Sequence, residues 1–295
     1  VMNNVLITIF TPSYNRSHLL PRLYASICAQ SFTDFEWLIV DDGSQDDTED
    51  VVQSFVEEGR LDIRYIKQKN GGKHRAINRG VKAAKGELFF IVDSDDLLPE
   101  HALAVISEYY KTIVDEKDFG GVSGLDEYLD GEIVGSGLPQ SIIDSTSVDI
   151  RMKYHVKGDL SEVFRTSVMK EFPFPEIEDE RFCPEVLIWN RIATKYKLRY
   201  INQAIYTVEY QEGGLTDNIV KIRMKSPVAS MMCYAEMSRL DIPFVQKMKA
   251  AINYWRFRMC ASKQTEKPSL SALWSWVIPI AWLIHKKDAT KIVNN

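Results

Sequence analysis

Apolar and polar positions in the first ninety residues follow two alternating rhythms. Val5–Phe10 is a strand-like run, and Leu19, Leu23 and Ile27 then recur every four residues, as on one helix face. Glu36–Val40 is a second strand, followed by a helix carrying Val51, Val52, Phe55 and Val56. Ile63–Ile66 is a third strand, and the helix after it buries Ala76, Ile77, Val81 and Ala84. Leu88–Val92 is a fourth, and Pro99 stands where a helix takes its first residue. Strands so spaced, with helices between, predict right-handed crossovers and a mostly parallel sheet covered on both faces, an α/β architecture.

The middle is less regular. Six glycines from Gly120 to Gly137 predict short strands with turns, and Pro173, Pro175 and Pro184 break any long helix. Val186–Tyr196 reads as a helix and Leu198–Val208 as a strand; after the polar Glu212–Asn218 segment the pattern is helical to about Ser262. The expected division is a domain over 1–215 and a helical extension over 216–295.

Composition narrows the classes. The 295 residues are 45% hydrophobic and 26% charged, enough for a sizeable core. A net charge of −5 and a pI near 5.7, without a basic block, argue against nucleic acid as a partner. Cys28, Cys183, Cys233 and Cys260 are dispersed, as reduced thiols of a cytoplasmic protein would be. The start lacks the basic-then-apolar layout of a leader. The longest apolar stretch, Leu270–Ile284, is interrupted by Ser271, Ser275 and Pro279 and falls short of the ~18 residues a span needs.

Three polar clusters follow strands of one parallel sheet and so reach the same edge, where ligands bind. They are Thr11-Pro12-Ser13-Tyr14-Asn15-Arg16, Asp41-Asp42-Gly43-Ser44 and Asp93-Ser94-Asp95-Asp96. Five carboxylates there repel one another unless a cation joins them, and hard oxygen ligands suit Mn²⁺ or Mg²⁺ bridging a diphosphate. Plainer readings compete: Asp42-Gly43-Ser44 as a helix-capping turn, and Asp93–Asp96 as a solvated loop. Asn70-Gly71-Gly72-Lys73 allows close backbone approach, with Lys73 as a point charge for phosphate or simply an exposed lysine. His74 is expected at the surface.

These clusters, with Gln30-Ser31-Phe32, Asp47-Thr48 and Ala84-Lys85-Gly86-Glu87, stand in an order that resembles family 2 glycosyltransferases of the GT-A fold. The likeness is strong over about 5–110, weaker to about 210, and absent as a motif beyond. It implies that Asp42 accepts a hydrogen bond from the nucleotide base, with Pro12 and Tyr14 at the pocket wall. Asp93 would face the ribose and Asp95 would bind the metal, as in a DXD-type motif; Thr11, Gly72, Lys73 and Ser94 are the further donor-binding candidates. It also implies inversion, a nucleotide-diphosphate donor with a UDP-sugar the leading candidate, and a glycan or lipid-linked glycan acceptor in bacterial surface-polysaccharide synthesis.

The acceptor hydroxyl needs a base. Family members often begin a helix with Glu-Asp there; this chain has Pro184-Glu185, followed by Trp189 and Arg191. Glu185 is the candidate base, Asp179 and Glu180 are held in reserve, and a helix-dipole role for Glu185 is the plainer alternative. The Gln-x-x-Arg-Trp motif of processive members is missing, which points to single-sugar transfer. Trp274, Trp276 and Trp282 with His285-Lys286-Lys287 suit either a peripheral contact of 270–287 with the inner membrane face or packing on the core. Two other functions compete. A sugar nucleotidyltransferase would want a Gly-rich basic loop after strand one. A non-catalytic sugar-nucleotide scaffold would be expected to lose the strand-four carboxylates.

Overall fold

A computed structural model describes residues 5–209, 215–262 and 266–293. The chain forms two compact units, one of Val1–Pro173 and Arg191–Gln211, the other of Phe174–Asn190 and Glu212–Asn295. The segment Phe174–Asn190, expected in the first domain, thus lies in the second unit.

The first unit begins with β1 (Ile7–Ser13), α1 (Leu20–Cys28), β2 (Phe35–Asp41), α2 (Thr48–Glu58), β3 (Ile63–Lys67), α3 (Lys73–Ala83), β4 (Leu88–Ile91) and α4 (Ala102–Lys111). It continues through β5 (Phe119–Tyr128), β6 (Ile142–Ser145), α5 (Asp149–Met152), β7 (Leu160–Arg165) and α6 (Thr166–Glu171). Helix α7 (Glu185–Ile192) starts in the second unit and leads back to β8 (Lys197–Val208). One eight-stranded sheet results, ordered β3-β2-β1-β4-β7-β5-β8-β6. The first four strands are mutually parallel, as the βα rhythm requires. Beyond them β7 runs antiparallel to β4 and β5, and β6 antiparallel to β8, while β5 and β8 are parallel.

Two local expectations are corrected. The glycine-rich region begins with one ten-residue strand, β5, and its turns follow. Pro99 does not open α4; its carbonyl accepts the Ala102 N–H at 2.9 Å and the Gln30 side-chain amide at 2.8 Å. Gln30 then accepts the Leu103 N–H at 3.2 Å, so a distant side chain satisfies the helix start.

Fully buried Trp37 stacks near Tyr24 and Phe55, whose rings lie 4.2 Å apart, and this joins α1 and α2 to the sheet. On the other face α3 approaches β1 at Gly80, where an added Cβ would meet the Phe10 ring at 2.2 Å. Glu36, wholly buried in β2, accepts hydrogen bonds from Thr8 (2.7 Å), Lys85 N–H (2.7 Å) and Arg64 (2.9 Å). A buried charge so bonded is tolerated, whereas one stripped of partners is costly.

The second unit contains α8 (Leu215–Lys225), α9 (Pro227–Met237), α10 (Phe244–Arg258), a 3-10 turn over Ala272–Val277, and α11 (Ile278–Val293). The start of the polar segment, 212–214, lies outside the described residues. Val228, Met231, Ala235, Tyr254 and Phe257 form the core between α9 and α10. Asp288 of α11 holds the Arg256 guanidinium of α10 at 2.5 Å. No described helix is long and apolar enough to cross a membrane.

Candidate active site

Strands β2 and β3 follow β1 on one side, and β4 returns to its other side. The switch in strand order thus falls between β1 and β4, and sheets of this kind bind ligands outside the carboxyl ends of the strands at that point. The polar clusters at the ends of β1, β2 and β4 share that edge.

At β1, Thr11 is buried and its hydroxyl accepts the Trp37 indole N–H at 3.0 Å, so this side chain serves the core. Pro12 is half-buried, and Tyr14 beyond it is 45% exposed. Asn15 adopts a positive φ of 54°. Its N–H donates to Ser44 at 2.8 Å and its side-chain oxygen accepts the Gln45 N–H at 2.9 Å, which fastens the β1 loop to the β2 loop.

At β2, the two aspartates have separate tasks. Asp41 is fully buried and accepts the Ser44 N–H at 2.7 Å and the Tyr65 hydroxyl. Asp42 accepts the backbone N–H of Gly71 (2.9 Å), the N–H of Gly72 (2.7 Å) and the Gln68 amide (2.7 Å). Neither caps α2; Asp47 takes the N-cap position without a side-chain cap bond, and the Asp46 carboxylate before it accepts the Thr48 N–H at 3.2 Å. Gly72 has φ 99°, a conformation that favours glycine, and leads directly into α3.

Lys73, the first residue of α3, reaches the Asp93 carboxylate at 2.7 Å. Asp42, Gly72, Lys73 and Asp93 therefore form one connected path between the β2 and β4 ends. His74 is 3% exposed, against the expectation of a surface position, because it shares the inner face of α3 with Ile77, Asn78 and Val81.

Beyond β4, Asp93, Asp95 and Asp96 place one carboxylate oxygen each within 4.8 Å of one another. Ser94 between them is buried. Burial and the Asp93 charge raise the Asp95 pKa, partly offset by Arg16 and Lys73. The same two causes push Asp96 up to about 7. Two carboxyls, Asp95 and Asp96, that resist ionisation beside the Asp93 charge make a fit host for a divalent cation. Its all-oxygen donors suit Mn²⁺ or Mg²⁺.

Tyr206 of β8 was not legible as a site residue. Its hydroxyl accepts the Asp93 N–H at 2.9 Å and donates to Asp96 at 2.9 Å, and the Glu209 N–H donates to Asp96 at 3.0 Å. A tyrosine inside an apolar strand gives no local sign of a partner 110 residues away. Gln68, on the Asp42 carboxylate, likewise carried no motif.

The base candidates lie in the second unit. Glu185 is half-buried and opens α7. Asp179 is exposed, with φ 64°. Glu180 is buried, and its two oxygens accept the Val228 N–H (2.7 Å) and Ala229 N–H (2.9 Å) at the start of α9. Glu180 thus satisfies a helix terminus, a structural task that its sequence position did not announce.

A carboxylate triad beside a lysine at the switch point of the sheet is an arrangement that can hold a divalent cation together with an anionic ligand. Residues 8–115 match the sequence model of glycosyl transferase family 2. Over that stretch the chain is similar to family 2 glycosyltransferases. It is similar to the GalNAc(5)-diNAcBac-PP-undecaprenol beta-1,3-glucosyltransferase of Campylobacter jejuni, 29% identical over 231 residues, covering 73% of this chain and 70% of that one. It is also similar to the poly(ribitol-phosphate) beta-N-acetylglucosaminyltransferase TarS of Staphylococcus aureus, 28% identical over 204 residues, 63% of this chain and 33% of TarS. The chain spans under half the length of several relatives it matches, 38% and 44% in two further cases.

Among solved structures, S. aureus TarS 1-349 with UDP-GlcNAc superposes with a TM-score of 0.62 at 19% identity, over 88% of this chain and 74% of that one. A mannosyltransferase from Pyrobaculum calidifontis with GDP-Man and Mn²⁺ gives 0.56 at 17%, over 96% and 75%. At these identities the likeness is one of fold, and that fold is GT-A.

Proposed function

We propose that this protein transfers a single sugar from a nucleotide-diphosphate donor, a UDP-sugar, to a hydroxyl of a glycan or lipid-linked glycan, with inversion. The observation that carries this is the Asp93–Asp95–Asp96 cluster beside Lys73, at the switch point of the sheet. The UDP-GlcNAc in the TarS structure and the undecaprenol-linked substrate in the name of the Campylobacter relative support the donor and acceptor classes. They favour a hexosyl- or N-acetylhexosaminyltransferase acting in polysaccharide biosynthesis. A peripheral membrane contact through 270–287 accompanies this reading.

Asp42 keeps acceptor capacity for a base N–H, since a carboxylate offers roughly four lone-pair sites and three donors hold it. Pro12 and exposed Tyr14 flank the base, and Lys73 places a positive charge beside the phosphates. Asp95, with Asp93 and Asp96 adjacent, would hold Mn²⁺ or Mg²⁺, which neutralises charge on the departing diphosphate. Glu185 removes the proton of the acceptor hydroxyl.

Calorimetric titration with UDP, GDP, dTDP and CDP, with and without Mn²⁺, tests this on the wild type and on Asp95→Ala. Tight binding of UDP that needs both metal and Asp95 is expected. Binding of no diphosphate, or binding indifferent to metal and substitution, would sink the proposal and leave a scaffold role in its place.

A further inference from the structure

Helix α11 is oriented contrary to a helix that faces water. Its inward residues include Ala281 and Asp288, the latter engaged with Arg256. Its outward side, continuous with the preceding 3-10 turn, carries Trp276 (53% exposed), Ile280 (42%) and Leu283 (63%), four and three residues apart. Leu273, just before, is 84% exposed. The stripe is not confined to this segment. The Phe244 ring at the start of α10 lies 5.5 Å from Trp274 and is itself 64% exposed, which brings α10 onto the same apolar surface.

Charge separates the candidate occupants. Between Phe244 and Thr290 the sequence carries eight Lys/Arg and only Glu266 and Asp288 as acids, in a chain of net charge −5. Lys286 and Lys287 are exposed on α11, and Lys286 lies 4.5 Å from the ring of half-exposed Trp282. Apolar side chains bordered by tryptophan and lysine suit the boundary between headgroups and acyl chains, and local positive charge suits anionic headgroups. A second copy of the chain would bring the same positive charge against itself.

We infer that the outward face of the 3-10 turn and α11, together with the start of α10, docks in the plane of an anionic lipid surface. This deepens the peripheral contact proposed above by fixing the face, the additional helix and the lipid charge. Its test is independent of donor chemistry. The full chain is mixed, without nucleotide, with vesicles of phosphatidylglycerol or of phosphatidylcholine, and binding is read by flotation and tryptophan emission. Binding to phosphatidylglycerol should be at least about tenfold tighter, weaken with salt, and shift the emission to the blue. Leu273→Ser with Leu283→Ser should lower it about tenfold or more, and Lys286→Glu with Lys287→Glu should erase the preference for the anionic lipid. Both outward-facing variants should keep wild-type circular dichroism and wild-type UDP affinity in vesicle-free solution, which separates this inference from the donor site. Failure of the wild type to bind either vesicle, binding that neither variant changes, or a stable dimer that buries this face and excludes vesicles would overturn it.

Discussion

Gly72 donates its backbone N–H to the Asp42 carboxylate at 2.7 Å, and its successor Lys73 lies 2.7 Å from Asp93. The aspartate closing β2 therefore fixes the point from which a lysine reaches the end of β4. Asp42→Ala should release the Gly71–Gly72 backbone and weaken UDP binding by roughly tenfold or more, since each charge-assisted bond contributes about 1.5–3 kcal/mol. Asp42→Asn, which keeps one acceptor oxygen, should recover part of that affinity in the same titration.

Asp95 should trade stability for function. Burial and the charge of Asp93 oppose its ionisation, so Asp95→Asn removes a repulsion from the native state. The variant should melt at or above the wild-type temperature while metal-dependent turnover falls by about a hundredfold or more, the scale of losing electrostatic stabilisation. Thermal denaturation and sugar-transfer assays on one preparation check both halves.

Tyr206→Phe keeps the ring and removes the hydroxyl shared by Asp93 and Asp96. The half-buried Asp93 N–H and an Asp96 carboxylate oxygen then lose a partner, at a cost of about 1–3 kcal/mol in urea denaturation. Turnover should fall along with stability.

Glu180 and Glu185 should separate cleanly. Glu180→Ala strips two backbone N–H groups at the start of α9 and should destabilise by about 1–2 kcal/mol. Glu185→Gln should leave the denaturation curve unchanged and lower kcat by about a hundredfold to ten-thousandfold. If Glu185→Gln retains full kcat, the base assignment fails.

Asp126 gives a pH signature. Burial first, and the Asp159 charge further down, raise it to about 7 from the ordinary 3.8, while the Ser161 hydroxyl pulls the other way. The folded protein therefore holds a proton that the unfolded chain releases between those values. Its contribution to stability is full below the unfolded value and is lost as pH rises through 7. Asp126→Asn should flatten that decline, and its stability difference from the wild type should grow from pH about 4 to about 8 in denaturant titrations.

Much of this was legible beforehand. The first four strands and three helices announced themselves because β1, β2 and β4 are buried on both faces and α1, α2 and α3 on one. The acidic clusters followed, since a parallel strand delivers its terminal residues to a known edge. The reversals at β7 and β6 were not legible, because strand direction depends on pairing across the sheet rather than on local pattern. For the same reason Tyr206 on Asp96, Gln30 on α4 and Glu180 on α9 escaped: each is a side chain serving a backbone or carboxylate far away in sequence. Thr11, a donor-site candidate by its motif, has its hydroxyl engaged by the indole N–H of Trp37, a residue outside that motif.

The contact between Gly80 and Phe10 bears on how this chain can diverge. With the ring already where a methyl group would sit, alanine at position 80 is admissible only if position 10 shrinks with it. Gly80→Ala alone should push α3 outward, carrying Lys73 at its head away from Asp93, whereas Gly80→Ala combined with Phe10→Leu should restore the spacing. The two positions form one unit of inheritance: descendants can exchange both together, but either step taken singly passes through a lineage with a displaced lysine.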